Sequence, residues 1–122
     1  QILTGIAVNA KALSEEERLK PANEQTPGLT GYHLVLPLLW NELIIKSKWS
    51  INNLWNSLSF GPSKILNLPE EKVEINSNRW LLYDPSKRWI LPQSSQNSSS
   101  SINEPFQGKE IIGKVIDCGL LS

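Results

Sequence analysis

The sequence predicts an α/β chain, organised as the last strand-and-helix unit of an α/β barrel followed by a small β appendage. Three observations predict it. Residues 2–8 (ILTGIAV) are short, β-branched and uncharged, as in a strand buried on both faces of a parallel sheet. Residues 26–40 (TPGLTGYHLVLPLLW) open a tight Pro-Gly loop into a helix that is apolar almost all the way round. Such a helix needs packing partners on most of its sides, and 122 residues are too few to supply them. After Pro69 the pattern shifts to short strand-like stretches, so the helices precede the strands of the appendage.

In chain order, residues 2–8 are too short for a helix, and Gly5 weakens one further. Residues 13–25 form a polar excursion. Ser14 followed by Glu17 is a capping-box spacing that starts a helical turn or two, and Pro21 ends them. Pro27-Gly28 is turn chemistry. Thr30 is a suitable N-cap for the main helix, 31–46. Lys46 and Lys48 complement its C-terminal dipole, and Pro37 kinks it or marks its true start. Ser50 caps a second helix, 51–59, in which Ile51, Leu54, Trp55 and Leu58 share one buried face. Gly61-Pro62 breaks the chain, and a short third helix runs from Pro62 to about Leu68.

Beyond Pro69, residues 72–75 alternate and 79–83 (RWLLY) read as a strand. Residues 84–87 (DPSK) read as a turn, and 88–91 (RWIL) as the returning strand. Residues 93–103 are almost entirely Ser, Gln and Asn and read as a mobile loop. Residues 111–118 (IIGKVIDC) close the appendage as a strand. Two regions follow: 1–68, the last β/α unit of the barrel, and 69–122, the β appendage.

Composition excludes several functions. Twelve basic and twelve acidic residues cancel, which leaves no electrostatic attraction to nucleic acid or to an acidic membrane. No apolar run reaches the roughly 18 residues of a membrane span. A single cysteine, Cys118, makes no internal disulfide and gives no sign of secretion, so the expected setting is cytoplasmic. The chain has no methionine and starts at Gln1, which reads as a cut N-terminus.

The sequence resembles a known family. The stretches IAVNAKAL, NEQTPGLTGYHLVLPLLW, SINNLWNSLSFGPSKILNL, WLLYDPSKRWIL and PFQGKEIIGKV follow the order and approximate spacing of the C-terminal part of the dihydroorotases. The resemblance covers nearly the whole chain except the Ser-rich loop, and its specificity lies in the combined order. It implies a (β/α)8 TIM-type barrel with two zinc ions at the C-terminal ends of its strands. It also implies the reversible closure of carbamoyl aspartate to dihydroorotate, a step of pyrimidine biosynthesis. Zinc there activates a bridging hydroxide and polarises the reacting carbonyl. Most of the zinc ligands belong to earlier strands, so this chain is expected to hold no metal ligand of its own.

After the last barrel strand the family typically carries Ala-Thr-Asp-His-Ala-Pro-His. Its Asp binds zinc and shuttles the proton, and the His four residues later holds a substrate carboxylate. This chain reads Ala7-Val8-Asn9-Ala10-Lys11-Ala12-Leu13. Asn9 stands in the Asp position and Leu13 in the His position. An amide cannot take up and return a proton near neutral pH, and its oxygen is a weaker zinc donor than a carboxylate. Leu13 offers no donor to a carboxylate. Pro27 and Gly28 keep the family's loop, whose backbone borders the substrate there, although the turn before the helix requires that chemistry in any case.

The resemblance thus implies a catalytically degenerate, structural C-terminal portion, inactive alone. The alternative is an active zinc enzyme whose upstream region supplies the metal site. A free-standing binding module is disfavoured, because the apolar helix would leave a large sticky patch. The implied partners are the remainder of the barrel and either aspartate carbamoyltransferase or a second copy of the chain.

Other chemistry-bearing residues have plainer readings. His33 is the only histidine and reads as a hydrogen-bonded structural residue. Cys118 reads as a buried, inert thiol. The five tryptophans read as core or interface rather than ligand-stacking residues. Glu15, Glu16 and Glu17 read as a solvated first helical turn. Arg18 and Lys20 are too sparse for a phosphate site, and residues 94–101 need be no more than a linker.

Overall fold

The computed structural model describes residues 3–11, 13–21, 23–24, 31–69, 73–92 and 105–120. Within these, helices come first and strands last. The four-residue helix α1 (Glu15–Arg18) comes first. Ser14 caps it as the spacing predicts: the Glu17 N–H donates to Ser14 Oγ at 3.2 Å.

The main helical rod, 32–46, changes pitch along its length. A 3₁₀ turn (Tyr32–Leu34) leads into α2 (Val35–Leu39), which widens into a π-type stretch (Trp40–Lys46). Pro37 lies in the first turn of α2, where its missing N–H would have no α-helical partner, so the rod carries it although it begins earlier, at Tyr32. At the far end the Ser47 N–H reaches back five residues to the Glu42 carbonyl, 3.0 Å away. Lys48 then takes a left-handed conformation, φ 58°, and ends the rod. Lys46 pairs with Glu42 one turn earlier on the exposed face.

The second rod, 51–65, departs from the sequence reading. Ser50 caps α3 (Ile51–Trp55), its Oγ accepting from the Asn53 N–H at 3.1 Å. The helix does not break at Gly61-Pro62. It widens into π-type turns (Asn56–Phe60) and continues as α4 (Gly61–Ile65). In a regular α-helix the Pro62 ring would collide with the carbonyl four residues back. The wider turns before it move those carbonyls, and the Gly61 N–H bonds instead to the Asn56 carbonyl, five residues back. The rod ends in a Schellman-type motif. The Leu68 N–H reaches the Ser63 carbonyl at 2.9 Å, and Asn67 is left-handed at φ 54°.

The first predicted strand is also corrected. Residues 3–8 have no regular secondary structure and join no sheet among the described residues. A parallel strand exists only through its neighbours, and none of the described residues supplies one. The segment lies instead along the second rod, where the Ile6 N–H donates to the Ser57 carbonyl at 2.8 Å. Gly61 permits this approach, since a Cβ there would collide with the Thr4 carbonyl oxygen. Residues 73–75 are likewise not a strand, and Val73 and Ile75 are 87% and 94% exposed.

Two antiparallel strands complete the fold, β1 (Arg79–Ile90) and β2 (Glu110–Leu120). The predicted hairpin turn at 84–87 is absent. RWLLY and RWIL are two halves of one strand, and both pair with β2: Tyr83 lies opposite Val115, and Trp89 opposite Ile111. The DPSK chemistry survives as a bulge. Asp84 Oδ1 accepts from the Ser86 N–H (2.9 Å), the Ser86 hydroxyl (2.8 Å) and the Lys87 N–H (3.1 Å). These bonds bunch residues 85–87 opposite Gly113 without reversing the chain. A second register shift falls between Leu82 and Tyr83. The closing strand predicted at 111–118 is β2, longer at both ends.

The sheet packs against the main rod through a small core of Leu34, Leu91 and Ile111, with Leu38, Trp89 and Phe106 around it. Fully burying a side chain such as Leu34 contributes about 2 kcal/mol. Leu54 and Ser57 are buried in the second rod. Cys118, expected to be buried, is exposed on β2, as are its neighbours Ile116 and Asp117. Trp80 is exposed as well, while Trp40, Trp49, Trp55 and Trp89 are partly buried.

Candidate functional site

The predicted site residues fall in two short stretches, of which one is described. Asn9 is exposed, in a stretch without regular secondary structure. Leu13 is half-buried directly before Ser14, so it is the residue that precedes the cap of α1. The two therefore differ in local structure, an irregular segment and a helix entry. Pro27 and Gly28 lie outside the described residues, as do Thr30 and residues 93–103.

The chemistry available at Asn9 is that of an exposed amide, which donates and accepts hydrogen bonds but exchanges no proton near neutral pH. Its neighbour Lys11 is exposed too. Zinc draws on thiolate, imidazole and carboxylate donors. Among the described residues no three His, Cys, Asp or Glu side chains come together in a way that would hold a metal ion. His33 stands exposed on the 3₁₀ turn with its ring 6.4 Å from that of Trp89, tilted by 48°. The described donor set does not make up a zinc centre by itself.

Among the described residues, the side chains with displaced ionisation lie in the sheet. Burial, with the neighbouring Asp84 carboxylate second, pushes the Tyr83 phenol up to about 12. Its hydroxyl is buried without a hydrogen-bond partner among the described residues, and its ring meets that of Trp40 at 5.0 Å. The hydroxyl and N–H of Ser86 hold Asp84 below its usual range. These two adjacent groups belong to the bulge and to the packing of the sheet against the main rod. The Asp-Pro-Ser run signalled the local Asp84 bonds; nothing in the sequence signalled the burial of Tyr83, which depends on Trp40 and Gly113.

No family model matches the chain. Individual relatives do. A probable dihydroorotase-like protein from Synechocystis sp. is 35% identical over 115 residues, which is 94% of this chain and 25% of that protein. A dihydroorotase from Aquifex aeolicus is 33% identical over 91 residues, 74% of this chain and 21% of the relative. A dihydroorotase from Clostridium botulinum is 24% identical over 98 residues, 80% and 25% respectively. The 122 residues thus match about a quarter of the length of these relatives, and the chain is related to the dihydroorotases and dihydroorotase-like proteins.

Proposed function

We propose that the chain is the C-terminal structural portion of a dihydroorotase-like protein, closing a (β/α)8 barrel and adding the β appendage, with a degenerate catalytic position at Asn9. The observation that carries this reading is the neutral pair Asn9 and Leu13 where proton-handling and carboxylate-binding groups would stand. The apolar surface of the second rod supports the structural role. Ile65 and Leu66 are 66% and 67% exposed, and side chains of that kind in a row call for a cover. In this reading the remainder of the barrel supplies the cover, and any zinc is held by residues outside this chain. Aspartate carbamoyltransferase and a second copy of the chain are the proposed further partners, in a cytoplasmic setting.

The second reading is an active zinc-dependent dihydroorotase. It is favoured by the names of the Aquifex aeolicus and Clostridium botulinum relatives. The two are separated by assaying dihydroorotate hydrolysis in a metal-replete protein that contains this chain and its barrel. The structural reading expects no turnover, and turnover gained on Asn9→Asp with Leu13→His. Hydrolysis by the unaltered protein overturns it. No gain from the double substitution places the defect outside these two positions.

A further inference from the structure

We draw no further inference here: the strongest candidate, the exposed apolar surface of the two-stranded sheet around Trp80, Leu82, Ile90 and Ile112, carries nothing beyond the reading above because nothing in the structure shows what covers it.

Discussion

The Tyr83 ring lies across Gly113 so closely that a Cβ on Gly113 would stand 2.0 Å from the phenolic oxygen. Gly113 also has φ 94°, which L side chains rarely adopt, and its carbonyl accepts a 2.9 Å bond from Trp89 Nε1. One residue therefore lets the bulge form, admits Tyr83 to the interface with the main rod and anchors Trp89. Gly113→Ala combines backbone strain of about 1–2 kcal/mol with an overpacking cost of similar size. The expected loss is about 3 kcal/mol in urea unfolding. Combining it with Tyr83→Phe should recover only part of this, because the ring carbon Cζ would still lie 2.9 Å from the new Cβ. A Gly113→Ala chain as stable as the parent would contradict the bulge geometry.

Tyr83 makes a separate prediction at alkaline pH. The folded chain holds the phenol proton up to about 12, against 10.0 for an unperturbed tyrosine. The unfolded chain therefore gives up this proton first. Below pH 10 the contribution is fully present, and it is lost as pH rises from 10 to 12. Stability should fall across that window, and the fall should be smaller in Tyr83→Phe. At neutral pH Tyr83→Phe should be neutral or stabilising by about 1 kcal/mol, since it removes a buried hydroxyl with no partner among the described residues. Denaturation at a series of pH values, alongside ultraviolet titration of the phenolate, checks both statements. A phenol that titrates at its ordinary pKa would overturn them.

The two sides of the bulge show what could be read from the sequence. Asp84, Ser86 and Lys87 are close enough in sequence for their bonds to be legible, and so are the caps at Ser14 and Ser50. Whether the strands on either side of Asp84 reverse is decided by β2, about thirty residues away, whereas local turn chemistry alone indicates a hairpin. Pro62 misled for a related reason. A helix break is the local default, but widened turns upstream let the rod continue. The strand expected at residues 2–8 requires neighbours that the described residues do not supply. At the candidate site, Asn9 and Leu13 were legible only as side-chain chemistry. Their sequence positions say nothing of the exposed backbone on one side and the helix entry on the other.

Gly61 offers a test in which the ordinary rule reverses. Inside a helix Gly→Ala usually stabilises by about 1 kcal/mol. Here the added Cβ would collide with the Thr4 carbonyl oxygen and stand 2.8 Å from the Asn56 carbonyl oxygen. Gly61→Ala should therefore destabilise, by about 2 kcal/mol from overpacking. The loss should be local: the segment around Thr4 and Ile6 lifts away, and the 2.8 Å bond from the Ile6 N–H to the Ser57 carbonyl is lost. Hydrogen exchange at Ile6 should accelerate far more than at the Trp89 or Ile111 amides in the sheet. Stabilisation by the substitution, or unchanged protection at Ile6, would show that the segment does not lie on this rod.

The proposed structural role predicts how the isolated chain behaves in solution. Ile45, Ile51, Ile65 and Leu66 on the two rods and Trp80, Leu82, Ile90 and Ile112 on the sheet are all more than 40% exposed. Single exposed apolar residues are common on monomers, but so many on adjoining elements make a sticky surface. The chain alone should enhance the fluorescence of an apolar-surface dye and self-associate with rising concentration. Ile65→Lys and Leu66→Lys together should reduce both effects, with a stability change within about 0.5 kcal/mol for surface positions. If the remainder of a barrel covers these residues, co-expression with it should abolish dye binding by the parent and be weakened by the double substitution. A monomeric chain that binds no dye and unfolds in one sharp transition would show that these side chains need no cover, and the structural reading would lose its support from packing.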